Sequence, residues 1–181
     1  MRRTVKLITA ALAAASLAAI PAHAALKRGQ SAPLFTTSGA KAGKAESFNL
    51  RRALERGPVV LYFFPKAFTR GCTLESNAFA EAMDDFEAAG ATVVGLSADD
   101  LPTLKRFSTE ECRDEFAVAR ATPAIIKAYD VSLVMNGKQT GLSDRTSYVI
   151  AQDGTIAMVY TDGDWREHVS RSLAAVRKLK R

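Results

Sequence analysis

The stretch Val59-Val60-Leu61-Tyr62-Phe63-Phe64-Pro65-Lys66-Ala67-Phe68-Thr69-Arg70-Gly71-Cys72 decides how this chain is read. Its first six residues are apolar without a break, which suits a central strand buried on both faces. Pro65 ends the run, since it cannot donate to a ladder. From Cys72 the period changes: Phe79, Met83 and Phe86 recur at helical spacing, and Gly90 supplies a stop. A buried strand therefore feeds an amphipathic helix, with Cys72 at the turn between them.

Outward from this turn the pattern continues. Residues 91–96 read as a second buried strand, and Leu101, Leu104 and Phe107 mark a second helix. Residues 116–119 suit a short strand and residues 123–129 a short helix. Residues 147–151, Asp153-Gly154 and residues 155–160 form a hairpin signal. Asp164 with Glu167 resembles a capping box, and Trp165, Val169, Leu173 and Val176 give the last helix an apolar face. Towards the N-terminus, residues 40–47 are polar, contain Gly43 and read as a loop between short strands. This order predicts an α/β architecture, a central mixed sheet flanked by helices, and a thioredoxin-like fold fits it.

The chain has 181 residues, enough for one domain with a core of its own. Its formal charge is +6, but residues 1–24 hold Arg2, Arg3 and Lys6 and no acid. The remaining 22 basic and 19 acidic residues leave +3, a balance that gives no argument for nucleic acid. Arg177, Lys178, Lys180 and Arg181 read as a solvated helix end. Arg2, Arg3 and Lys6 form a charged n-region, residues 7–20 an apolar core, and Ala22-His23-Ala24 a small-residue cleavage site. The apolar run is shorter than the ~20 residues of a spanning helix. The expected organisation is a signal peptide over residues 1–24 and one domain over 25–181. The mature protein is expected to be exported, periplasmic in a Gram-negative cell, with no stable membrane association after cleavage.

Placement gives Cys72 its chemistry. Free N–H groups point outward at a helix N-terminus and the helix dipole favours negative charge, so a thiolate is stabilised there. The thiolate is the nucleophilic form. Thr69 lies three residues earlier, with a hydroxyl able to bridge the sulfur and an incoming oxygen. Pro65 stiffens the entry to the pocket. By itself a lone cysteine in this position also fits a small buried core residue.

The octet widens the reading. Pro65-x-x-x-Thr69-x-x-Cys72 resembles the signature of peroxiredoxins, and residues 62–73 look like the peroxiredoxin Q, or bacterioferritin comigratory protein, branch. Residues 29–35 resemble that family's opening strand, and Arg145-Thr146-Ser147-Tyr148-Val149-Ile150 with Asp153-Gly154 its later hairpin. The resemblance implies a thioredoxin-like fold and a thiol-dependent peroxidase. Its substrates would be hydrogen peroxide and organic hydroperoxides. Cys72 would be the peroxidatic residue, oxidised to a sulfenic acid. Thr69, Pro65 and Arg145 would be its pocket partners, Arg145 favouring the thiolate and donating to peroxide oxygens. A thioredoxin-like dithiol would return the electrons, and no organic or metal cofactor is implied. Without the motif, Arg145 reads as a surface charge before a strand.

Cys112 carries three readings: a resolving cysteine for Cys72, an inert core residue, or half of a structural disulfide. Many members of the branch place the resolving cysteine five residues after the peroxidatic one, where this chain has Asn77. Others place it in the helix after the next strand, which points to Cys112. A helix from Leu101 to Cys112 would carry it roughly 16 Å from its start at ~1.5 Å per residue, so pairing would require local unfolding. Of the two histidines, His23 falls in the signal peptide and His168 reads as a surface or interface residue. Two distant cysteines are not a zinc pattern. An envelope thiol-disulfide oxidoreductase is the rival enzyme, but Gly71-Cys72-Thr73-Leu74-Glu75 lacks the second cysteine of Cys-x-x-Cys. A non-catalytic binding module is the rival outside enzymes. A monomer or weak dimer is expected.

Overall fold

Val59, Leu61 and Phe63 point to one side of the sheet and Val60, Tyr62 and Phe64 to the other, and all six are fully buried. That alternation between two buried faces is what an unbroken apolar run requires. The structure, a computed structural model, describes residues 26–180. The run forms β3 (Val59–Phe63), an interior strand of the main sheet. It is followed by α2 (Arg70–Glu81), α3 (Met83–Ala88) and β4 (Thr92–Ser97), then α4 (Leu101–Glu110) and β5 (Ala117–Arg120). Strands β3, β4 and β5 are parallel neighbours.

Before them come β1 (Thr36–Lys41), β2 (Lys44–Asn49) and α1 (Leu50–Leu54). After them come α5 (Pro123–Ala128), β6 (Ser132–Met135), β7 (Lys138–Ser143), β8 (Thr146–Ile150), β9 (Ile156–Thr161) and α6 (His168–Leu179). The main sheet runs β2-β1-β5-β4-β3-β8-β9, with antiparallel pairs at both sides of the parallel centre, and β6 and β7 form a separate hairpin. This is the expected thioredoxin-like α/β fold. One face of the sheet packs on α1 and α5 through Leu50, Leu54, Ile125 and Ile126. The other packs on α2, α3, α4 and α6 through Phe79, Phe86, Phe107 and Val176, and it holds both cysteines.

Several details differ from the sequence reading. Residues 40–47 are mostly paired strand, and the turn between β1 and β2 is only Ala42-Gly43. The apolar spacing of Phe79, Met83 and Phe86 crosses a break: Ala82, at φ −96° and ψ 4°, separates α2 from α3. Helix α1 and the β6–β7 hairpin carry too little periodic apolar signal to be read. Asp164 caps a short 3₁₀ turn, Trp165–Glu167, by accepting from Arg166 N, while Glu167 points to solvent and pairs with Arg171. His168 is fully buried rather than on the surface. The expected signal peptide, residues 1–24, lies outside the described residues. No helix among the described residues is long and apolar enough to cross a membrane.

Candidate active site

Cys72 is the third residue of α2 and is fully buried. The link from β3 is held by several contacts. Phe64 N continues the pairing with Leu96 O at 2.9 Å, and Ala67 N donates to Asp99 Oδ2 at 2.8 Å, just beyond β4. Phe68 adopts φ 61°, a left-handed conformation that is costly for a bulky residue. Its ring packs edge-on against Phe107 at 5.2 Å and under Arg106 at 5.0 Å, which holds it there. Thr69 is the N-cap residue, but its side chain does not cap the helix. The first turn of α2 thus keeps its backbone donors free of side-chain caps, the condition under which a helix end favours an anion.

Strand pairing brings in the arginine. Phe63 lies opposite Thr146 in the β3–β8 register, so Arg145 sits beside the end of β3 where Cys72 follows. Arg145 is only 8% exposed and all three guanidinium nitrogens are engaged. Nε donates to Gly163 O at 3.1 Å, Nη1 donates to Glu75 Oε2, and Nη2 donates to Cys72 Sγ at 3.5 Å. Glu75 lies one helical turn beyond Cys72 and is itself fully buried. Breaking such a buried pair by removing one partner typically costs about 3–5 kcal/mol. Burial pushes the Glu75 carboxyl above the usual carboxylate range, against the pull of Arg145. Gly71 leaves room for the guanidinium, since a Cβ there would stand 3.1 Å from Arg145 Nη2.

Other expected site residues stand differently. The Thr69 hydroxyl is exposed and donates to Lys66 O at 2.9 Å, so in this arrangement it is turned to the loop rather than spent on the sulfur. Pro65 is half-buried at the loop entry, and Arg70 is exposed. His168 joins the Arg145 cluster from α6: its Nδ1 lies 2.8 Å from Ser147 Oγ and 3.8 Å from Glu75 Oε1. Sequence reasoning missed Glu75 and His168. Cys72 and Glu75 are spaced i, i+3, which places them on one helix face and was the available signal for the first. For His168 the signal was the buried stripe it shares with Ser172 and Val176.

Cys112 is not at the end of α4 but in the turn after it, and it lies much closer to α2 than the helix count suggests. Its thiol is fully buried beside the hydroxyls of Ser76 and Tyr62, which are 2.9 Å apart. Ser76 is only four residues past Cys72, about 6 Å along α2. Gly95 makes this possible, because any Cβ there would strike the Tyr62 ring at 2.7 Å. Burial pushes the Cys112 thiol far up. The turn is clamped onto α2 by Asn77, which donates to Glu111 Oε2 at 3.1 Å and accepts from Arg113 Nε at 3.0 Å. Arg113 also reaches Glu81 at 3.2 Å. Arg113 and Asp114 both hold positive φ, 51° and 63°. Both cysteines are free thiols. Among the described residues no group of three His, Cys, Asp or Glu side chains is placed to hold a metal ion.

The profile of the AhpC/TSA family matches residues 28–159. A chloroplastic peroxiredoxin Q of Populus jackii is 30% identical over 157 residues, covering 86% of this chain and 70% of that one. Peroxiredoxin Bcp of Xanthomonas campestris pv. campestris is 28% identical over 121 residues, covering 66% of this chain and 76% of that one. Among solved structures, peroxidoxin BcpB of Mycobacterium tuberculosis superposes with TM-score 0.75 at 27% identity, covering 85% of this chain and 98% of that one. The bacterioferritin comigratory protein of Xanthomonas campestris gives 0.70 at 26% identity, covering 80% and 92%.

Proposed function

The chain belongs to the AhpC/TSA family and is a thiol-dependent peroxidase, and from that premise we propose a cycle in which Cys72 is the peroxidatic cysteine and Cys112 the resolving one. The observation that carries the first assignment is Arg145 Nη2 at 3.5 Å from a sulfur in the first turn of α2. The Cys72 thiolate attacks the terminal oxygen of a hydroperoxide. The O–O bond breaks, the departing oxygen takes a proton and leaves as water or alcohol, and the sulfur becomes a sulfenic acid. Arg145 donates to the sulfur in the ground state and towards the peroxide oxygens as charge moves onto them. Pro65 shields the entry. The Thr69 hydroxyl joins by rotating from Lys66 O to the incoming oxygen. The Xanthomonas campestris protein is described by its alkyl peroxide reduction activity, and the apolar Phe68 beside the loop suits organic as well as inorganic peroxides.

In the second half, Cys112 attacks the sulfenic sulfur, water leaves, and a disulfide forms. A thioredoxin-like dithiol then reduces it. Burial and the Asn77 clamp keep Cys112 unreactive until the turn at residues 111–115 and the first turn of α2 open. The charged n-region, the apolar run and Ala22-His23-Ala24 support export with cleavage after Ala24, so the reductant is one supplied outside the cytoplasm.

The test is peroxide consumption with a thioredoxin system, run on wild type, Cys72→Ser and Cys112→Ser. Loss of all turnover in Cys72→Ser is expected. Cys112→Ser should keep one stoichiometric reaction with peroxide but lose thioredoxin-supported turnover. Peptide mass spectrometry of wild type after one equivalent of peroxide should find the 72–112 linkage, and its absence would remove the resolving role.

A further inference from the structure

Glu75 spends only one carboxylate oxygen on Arg145. Oε2 accepts Nη1, while Oε1 is buried with no hydrogen-bond partner. A buried acceptor left unsatisfied is destabilising, more so when it carries charge, so it calls for a partner. His168 Nδ1 stands 3.8 Å away, on a ring that is itself fully buried. The tautomer follows from the other nitrogen. His168 Nε2 is 3.1 Å from the carbonyl of Asp162, which can only accept, so Nε2 carries a hydrogen. In the neutral ring Nδ1 is then an acceptor and takes the Ser147 hydroxyl. One more proton gives Oε1 a charge contact at 3.8 Å, longer than a hydrogen bond. On the carboxyl that proton faces Nδ1, whose one lone pair the Ser147 hydroxyl must then release. On the ring it makes an N–H donated to Ser147 Oγ, with Glu75 Oε1 beside it.

We propose that Glu75 and His168 hold one proton between them, and that His168 thereby acts as a positioning residue for Arg145 and the Cys72 thiolate. The proposal rests on the peroxidatic role of Cys72 given above. Charge explains why the proton belongs there. Arg145 is one cation facing two groups that ionise to anions, Cys72 and Glu75. With both ionised the buried site carries a net negative charge, and a proton on the pair returns it to zero.

The surrounding groups agree. Tyr62, from β3, faces Glu75 and stays a neutral phenol, pushed up by burial. The Tyr160 ring, from β9, packs 4.8 Å from His168. Asp162 and Asp164, in the turn before α6, are exposed and favour the proton on His168, whereas Arg145 opposes it. Burial, with Arg145 assisting, holds His168 below the ordinary histidine range, while burial lifts Glu75. The order of proton affinity that a carboxyl and an imidazole keep in water is therefore not kept here, and the two groups must be considered together. Attack on a hydroperoxide removes the thiolate charge as the S–O bond forms, the O–O bond breaks and the departing oxygen takes a proton from water. With that charge gone, the pair's hold on its own proton weakens. The store is therefore tied to the redox state of Cys72.

Two measurements test this without relying on peroxidase turnover. The chain has two histidines, so imidazole NMR signals are few, and His168→Gln identifies the buried one. Its midpoint is expected to fall by about half a pH unit or more in both Glu75→Gln and Cys72→Ser, since each removes an anion. The second is the pH profile of Cys72 alkylation by iodoacetamide in wild type and His168→Gln, read in reduced protein with Cys112 confirmed unmodified. The variant should be slower by a factor of about 3 or more near pH 5.5, the deficit shrinking as pH rises, because the protonated pair favours the thiolate. A His168 signal that moves identically with pH in wild type and Glu75→Gln would overturn the proposal. So would an alkylation profile that superposes on wild type or is lowered by one factor at every pH. Failure of these arms with intact peroxide turnover would leave the Cys72 assignment standing.

Discussion

Cys72 and Cys112 are equally buried, lie on the same face of the sheet and share one apolar cluster, yet their surroundings differ in kind. Cys72 has a guanidinium nitrogen at 3.5 Å and the uncapped start of a helix. Cys112 has two hydroxyls and, in the shifts its neighbours impose, only the acidic Glu111 and Asp114 as charges. Both acids disfavour its thiolate. Solvent exposure therefore does not distinguish the two thiols of this protein. The sign of the nearest charge and the direction of the nearest backbone dipoles do.

That contrast can be broken at several points. Arg145→Ala should have the largest effect, because it removes the cation that distinguishes the two sites. Single-turnover peroxide reduction by Cys72 is expected to fall by about 10²–10³-fold. Stopped-flow fluorescence or competition with a peroxide indicator would read it, and a rate within twofold of wild type would undo the comparison. Asn77→Ala should act on the other site. It removes two hydrogen bonds that hold the Cys112 turn, at about 1 kcal/mol each, so the 72–112 disulfide should form up to about 30-fold faster after oxidation. Quenched-flow alkylation with mass analysis would follow it. An unchanged rate would mean that opening of α2, not of the Cys112 turn, limits closure. Gly71→Ala should be the smallest. Its methyl crowds the flexible end of Arg145 rather than backbone, and a loss of about 3-fold in peroxide rate is expected.

Much of this was legible in the chain, for reasons that can be named. The run at residues 59–64 reads as a doubly buried strand because every residue contributes apolar area to one face or the other. The motif and its later partner name Cys72 and Arg145, which 73 positions separate and which the Phe63–Thr146 register makes neighbours. Thr69 shows the limit of a motif: it names a residue but not the rotamer of its hydroxyl, which here turns to Lys66. Cys112 shows the limit of counting helical rise, because the strained turn at Arg113 and Asp114 folds the chain back and Asn77 of α2 holds that turn through Glu111 and Arg113. His168 is the instructive miss. A polar residue on a helix looks solvated unless its buried partners, here Ser147 and Glu75 from other elements, are already known.

The turn before α6 gathers two strands of this network at one place. Arg145 Nε is anchored on Gly163 O and His168 Nε2 on Asp162 O, and both residues of that turn are exposed. The Cys72 sulfur is thus linked through Arg145 to the outside of the molecule. A contact that gripped residues 162–163 would tilt the guanidinium without entering the pocket, so the tuning of a deeply enclosed thiol is set partly at the surface.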